Sequence, residues 1–426
     1  MTDHILPATD KFTDNSSKQT SNDNRAGLNT DLNITPKVAI IGGGLTGLFT
    51  ATLLERAFLK QQTKSAVNSL APQITILEKS RSVGRLATRY RTDSNTNKNW
   101  QWAFGAQFFT AKTSSFKQFI APWLDSKLLQ PWRAQVVNLT PTNVHIQDAQ
   151  AQNAHSPNIE RKEQWDTNHA RYISTPKMTS WGCALAENLQ YTTIKFKTRV
   201  APIDKVQMHS VQDNKAIKTE LFDETGNSLG WFDWVICTAP NGQAVELMAD
   251  SGFTKQAKII EPQMLACYTL MLGWDNLEQL PKTLSNEIQS AWDVAYVNHS
   301  IIDKIFIEHQ KPAHADLLPS VTIHARNDWS EEHVDDDMET VKAQLLAAAQ
   351  QALNWHDGNA PSQIDCHRWR HAATVIDAKN RGSNEVLGIL IDTQHQWIVS
   401  GDWCGQGNIE SCYQVAKETV KVLCAS

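Results

Sequence analysis

Hydrophobic and polar positions follow different periods along the chain, and each change of period marks an element. From Pro36 the sequence reads KVAII, an apolar run rich in β-branched residues that ends in glycines. A short β-branched run of this kind predicts a strand. LTGLFTATLLERAFL then repeats apolar residues at helical spacing, which predicts a helix. A polar stretch, KQQTKSAVNSLAP, leads to QITIL and Glu78, a second strand. The opening is therefore β-α-β. WFDWVICTAP, at 231–240, reads as another buried strand stopped by a proline turn. Residues 335–354 read as an amphipathic helix whose start carries Asp335, Asp336 and Asp337, acidic residues that suit a helix N-terminus. QWIVSGDWCG predicts a late strand and glycine turn, and NIESCYQVAKETVKVL the closing helix. Two polar stretches break the pattern. Residues 1–35, rich in Asp, Asn, Ser and Thr, read as a disordered tail. Residues from about 138 to 170 read as a surface insertion or long hairpin.

Composition then removes several function classes. Hydrophobic residues make up 41% and charged residues 20% of the 426, which excludes collagen, coiled coil and wholesale disorder. This length implies two or three domains. A net charge of −5 offers no basic field for nucleic acid or an anionic membrane, so a small-molecule partner is expected. The longest apolar stretch, Val38 to Leu54, is interrupted by Gly42, Gly43, Gly44 and Gly47, and it falls short of the roughly 20 residues that span a bilayer. The first residues lack the basic start and apolar stretch of a secretory signal. Seven cysteines without CxxC spacing argue against a disulfide framework or a zinc site and favour a cytoplasmic location. The Asp335–Asp337 run lacks the glycine and spaced oxygens of a calcium loop, so no metal is expected.

The chemistry begins at Gly42-Gly43-Gly44-Leu45-Thr46-Gly47, a G-x-G-x-x-G pattern between a strand and a helix. Gly42 permits the tight turn, Gly44 lets the backbone approach a pyrophosphate, and Gly47 lets helix and sheet pack closely. A diphosphate would lie on the helix's N-terminal amides. Glu78, ending the second strand, can accept hydrogen bonds from ribose hydroxyls. It stands 31 residues beyond Gly47 rather than the usual roughly 20 from the fingerprint, and the intervening polar loop accounts for the excess. After it comes KSRSVGRLATRY, where Arg85 can neutralise phosphate charge. The alternative is a solvated basic loop of Arg81, Arg85 and Arg89.

The run EKSRSVGRLATR from Glu78, with FGAQFFT from Phe104, RYISTP from Arg171, HRWRHA from His367 and GDWCG from Gly401, resembles the renalase branch of the flavin amine oxidase superfamily. The five blocks follow the family's order from about residue 36 to the end of the chain. The resemblance implies an α/β protein: a discontinuous Rossmann-like FAD-binding domain of amine-oxidase type, with an inserted α+β mixed-sheet substrate domain. The FAD domain would comprise 36–105, 175–245 and 365–426, and the substrate domain 106–174 and 246–364.

Non-covalent FAD is the implied cofactor. Carried over by motif, Gly42, Gly44, Leu45, Thr46 and Gly47 would face its pyrophosphate, and Glu78 with Lys79 its adenosine ribose. Arg85 and Leu86 would lie by the phosphates, and Val200 on the adenine side. Gly105, Ala106 and Gln107 would lie beside the flavin ring. Gly401 and Asp402 would hold the ribityl–pyrophosphate junction. Gly407, Asn408 and Ile409 would turn the amides of the last helix toward the flavin. The implied activity is oxidation of 2- and 6-dihydro isomers of NAD(P)H to NAD(P)+ with O2 reduced to H2O2.

Three positions depart from the family pattern. Val83-Gly84-Arg85 has one glycine where two are usual, Ala103 stands where an acidic residue is common, and Phe108 replaces a tyrosine. Gln107, Phe108, His324, Trp369 and Trp403 are the candidates for substrate-facing chemistry. Trp369 and Trp403 suit pocket walls, with core packing as the alternative for each, and a satisfied core histidine is the alternative for His324. Cys412 reads as a buried structural thiol. Two other functions stay open: a flavin amine oxidase or desaturase, and an FAD-binding protein without turnover.

Overall fold

The computed structural model describes residues 36–62, 72–82, 84–141, 157–168, 170–204, 208–210, 217–285, 291–375 and 388–425. The expected tail at 1–35, Val83 and the middle of the polar stretch at 142–156 lie outside them. The strand Lys37–Ile41 sits inside a six-stranded sheet, between Gln73–Leu77 and Trp234–Cys237, and is parallel to both. Thr192–Lys195 extends the sheet beside Gln73–Leu77. On the other side Trp397–Val399 runs parallel to Trp234–Cys237, and Leu390–Asp392 closes the edge antiparallel. The unbroken apolar runs of the sequence have the reason expected of parallel strands, since both faces are covered. On one face, Val38, Ile40, Ile74 and Ile76 share a core with Leu48 and Phe49 of helix Leu45–Gln62 and Tyr413 and Ala416 of helix Ile409–Ala425. On the other, Ala39, Ile41 and Val235 pack with Ala244, Leu247 and Trp403.

A second sheet has seven strands in the order Gln363–Thr374, Met264–Gly273, Ser320–Ala325, Ile302–Ile307, Val294–Val297, Gln135–Thr140 and Asn158–Gln164. Neighbours are antiparallel except Val294–Val297 with Gln135–Thr140. Strand Met264–Gly273 shows how its faces divide, because alternate side chains point to opposite sides. Tyr268, Leu270 and Leu272 join a core with Val341, Leu345 and Ala349 of helix Met338–Leu353. Cys267 and Thr269 face a cavity. The expected hairpin near 138–170 is the outer edge of this sheet, where exposed Asn158–Gln164 pairs with Gln135–Thr140.

The sheet memberships move two expected domain limits. Gln363–Thr374 belongs to the second sheet, because it pairs with Met264–Gly273 from Gln363 to Thr374, so the chain returns to the first sheet only after residue 374. Residues 109–132 depart in the opposite sense. Phe109, Phe116, Phe119 and Leu129 pack with Phe49 and Tyr413 in the core of the first sheet, and Phe49 meets Phe119 edge to face at 5.2 Å. Among the described residues, no helix is long and apolar enough to cross a membrane.

Candidate functional site

A cavity of about 1240 Å³ runs from the carboxyl ends of the first sheet's central strands to the open face of the second. This exceeds the roughly 300–1,000 Å³ of most small-molecule sites. Its first end is built by the turn after Lys37–Ile41. Gly42 has φ +111°, a conformation that favours glycine, and the Gly42 amide donates to the Leu77 carbonyl at 2.9 Å. Gly44, Leu45 and Thr46 line the cavity at the start of their helix, where the first amides have no intrahelical acceptor. Gly84 completes this cradle. A Cβ there would stand 2.8 Å from Gly44 Cα, on a backbone with φ +55°.

Glu78 is buried, and its carboxylate is held in one orientation. Oε2 accepts from the Gly43 amide at 2.6 Å, and Oε1 accepts from the Ser80 amide and hydroxyl at 2.7 and 2.6 Å. Lys79, Leu86 and Val200 line the same end. Burial, and then the nearby Arg199 charge, push Lys79 below the ordinary lysine range. Midway along, Arg85 Nη2 meets Asp402 Oδ1 at 2.5 Å and Nη1 donates to the His371 carbonyl at 3.2 Å. Burial opposes the Arg85 charge, but the Asp402 carboxylate outweighs it and the guanidinium lies above its usual value. Gly407, Asn408 and Ile409 reach the wall at the start of the last helix, where Asn408 Oδ1 accepts from the Ser411 amide at 2.9 Å. Cys412 lies beside them, its thiol pushed up to about 12 by burial.

The far end is a row of side chains across four neighbouring strands. Thr269 stands opposite His367 on one side and His324 on the other, and His324 stands opposite Lys304. All four line the cavity. Burial, with Lys304 and Lys311 adding to it, lowers His324 to about 3, and burial with Arg89 lowers His367 to about 4. Both rings are neutral at neutral pH. Lys304 pairs with Asp303. Trp369 stacks on Phe104 at 5.3 Å and donates from Nε1 to the Phe104 carbonyl at 2.9 Å. Gly105, Ala106 and Phe108 also line the wall.

Four expected site residues lie elsewhere. Trp403 is no pocket wall: it is 1% exposed, packs in the core of the first sheet, and donates to the Ala239 carbonyl at 2.9 Å. Gly401 serves that packing, since a Cβ there would come within 2.4 Å of the Trp403 ring. Gly47 likewise seats the helix on the sheet, with no room for a Cβ against the Gly42 carbonyl. Gln107 is buried behind the wall, with its amide spent on Ala103, Lys311 and His324. Reading the sequence missed Lys304, Thr269 and Asn327 in the wall and the Lys311–Glu308 pair behind it. No local motif marks them. Strand pairing alone brings them together.

The first end fits FAD. The Gly44–Gly84 approach leaves a cradle that a single Cβ would fill, it lies at the start of a helix, and the oriented Glu78 carboxylate lines the same cavity at the next strand end. Among the described residues no three His, Cys, Asp or Glu side chains converge as a metal site.

No family model matches the chain. Among solved structures, putrescine oxidase bound to putrescine is similar at a TM-score of 0.60 and 11% identity, covering 92% of this chain and 100% of that one. Cyclohexylamine oxidase from Brevibacterium oxydans IH-35A gives 0.59 and 11%, covering 92% and 100%. Reduced UDP-galactopyranose mutase gives 0.60 and 12%, covering 92% and 95%. At these identities the likeness is one of fold. The chain therefore has a mixed α/β fold similar to that of these oxidases and the mutase.

Proposed function

We propose that the chain is an FAD-dependent oxidoreductase of the renalase type, oxidising 2- and 6-dihydro isomers of NAD(P)H to NAD(P)+ while O2 becomes H2O2. The observation that carries this reading is the single cavity joining the glycine cradle and Glu78 to the row His367, Thr269, His324 and Lys304. Gly42, Gly44, Leu45, Thr46, Arg85, Leu86 and Asp402 would hold the pyrophosphate and ribityl part of FAD, with Glu78, Lys79 and Val200 on the adenosine. Gly105, Ala106, Asn408 and Ile409 would border the ring. When bound, FAD supplies a two-electron oxidation and passes the electrons to O2.

The chain's own task is orientation and exclusion of water. Trp369, stacked on Phe104, offers an aromatic wall for a planar substrate. His324 and His367, both neutral, offer hydrogen bonds without charge. The substrate end favours an uncharged ring over an ammonium group, because Asp303, its carboxylate, is already paired with Lys304.

The test is an absorbance spectrum of the purified protein without oxygen, before and after 6-dihydroNAD is added. The expected result is a flavin spectrum that bleaches and returns with air, with release of peroxide. A flavin spectrum that ignores this substrate and bleaches with amines would assign an amine oxidase. A flavin spectrum that nothing bleaches would assign an FAD-binding protein without turnover. A colourless protein would remove the cofactor from the reading.

A further inference from the structure

Behind the cavity wall lies an ion pair that the proposed reaction does not use. Lys311 Nζ stands 2.8 Å from Glu308 Oε2, and the two side chains are 2% and 0% exposed. Charges this far from water persist only with a complete set of partners. Glu308 Oε1 accepts from the Thr322 hydroxyl at 2.6 Å and the Ala103 amide at 3.2 Å. Glu308, just past the strand Ile302–Ile307, thus ties the second sheet to the Ala103 backbone. Lys311 also donates to Gln107 Oε1 at 2.7 Å and stands 5.3 Å from the centre of the Trp132 ring.

These contacts decide which way the Gln107 amide points. Its oxygen faces the ammonium, and its NH2 donates to the Ala103 carbonyl. The flipped amide would set NH2 against ammonium and oxygen against oxygen. The same NH2 lies 3.5 Å from His324 Nε2. An amide NH2 only donates, so a hydrogen bond between the two requires Nε2 to present its lone pair and the neutral ring to carry its proton on Nδ1. His324 lines the cavity, and among the described residues its Nδ1 has no protein partner.

We infer that Lys311, held by Glu308, is a positioning residue that fixes His324 as the Nδ1–H tautomer through Gln107 and so presents a hydrogen-bond donor to the cavity. A fixed neutral donor suits a substrate with a neutral acceptor, such as a carboxamide oxygen. That substrate class rests on the function proposed above, whereas the tautomer does not.

The test is solid-state 15N NMR of the purified protein labelled at its histidine side chains, with His324 assigned by the signals lost in His324→Gln. The native protein should show protonated Nδ1 and unprotonated Nε2. The double variant Lys311→Met/Glu308→Gln removes the pair without stranding a charge, leaves the amide oriented by the Ala103 carbonyl alone, and should show an Nε2-protonated fraction that the native protein lacks. A native ring protonated at Nε2 overturns the inference. So does an unchanged tautomer in the folded double variant. If that variant does not fold, Gln107→Leu replaces it, and a surviving Nδ1–H preference there overturns the inference equally. The spectra need no substrate, so failure of the proposed reaction leaves this result standing, and the reverse also holds.

Discussion

At the residue scale, two positions carry most of the site's testable content. Gly84 faces Gly44 across the cradle at a distance that admits no Cβ, with φ +55°. Gly84→Ala is expected to cost about 1–2 kcal/mol in backbone strain alone and to push the turn into the phosphate position. Flavin retained per mole of protein should fall about tenfold or more, and unchanged occupancy would remove the cradle from the cofactor site. His324 supplies a pH test. Its folded value near 3 lies below the ordinary 6.5, so the unfolded chain takes up this proton first as pH falls. The stability from keeping the ring neutral is therefore present above about pH 6.5 and is lost as pH drops toward 3. His367, lowered to about 4, acts in the same direction and stays in both proteins. The native chain should lose its denaturation midpoint more steeply across that window than His324→Gln, and parallel curves would mean that His324 is not held neutral. Local sequence marks His324 only by its place in the apolar run SVTIHAR, where a satisfied core histidine is the alternative and the family resemblance alone implies the pocket.

At the scale of elements, most of what the pattern predicted is found. Lys37–Ile41, Leu45–Gln62, Gln73–Leu77, Trp234–Cys237, Trp397–Val399 and Ile409–Ala425 all form at the expected places. Hydrophobic period and glycine turns are local properties, and these elements need little else. The acidic start of Met338–Leu353 has its reason in Asp337, whose carboxylate accepts from the Glu339 and Thr340 amides at 3.0 Å each. Asp337→Ala is expected to lower the melting temperature by about 1–4 °C and leave flavin content unchanged. A loss of flavin would mean that this helix supports the site as well as the second sheet. The edges were less legible. Gln363–Thr374 mixes aromatic and basic residues that read as a return toward the first sheet, yet its backbone pairs throughout with Met264–Gly273. Pairing partners are set by register across the molecule, which no local period encodes.

At the scale of the whole molecule, the two ends of the cavity differ in how they are specified. The end at the glycine turn takes Gly42, Gly44, Leu45, Thr46 and Glu78 from one turn, one helix start and one strand end, close enough in sequence to be read together. The far end takes Lys304, His324, Thr269 and His367 from four strands ordered by the sheet rather than by the chain. The same distinction separates two tryptophans that the sequence presents alike. Trp369 projects from the sheet onto Phe104, and Trp403 fills space over Gly401 in the core. The sequence by itself determined the strand–turn–helix unit, the closing helix and the glycine turn with Glu78 at the next strand end, because backbone conformation and hydrophobic period act over a few residues. Only the tertiary structure decided which side chains face the cavity, which sheet each strand joins, and that Lys311 and Glu308 meet behind the wall. Those outcomes depend on register and burial, which exist only once distant segments have packed.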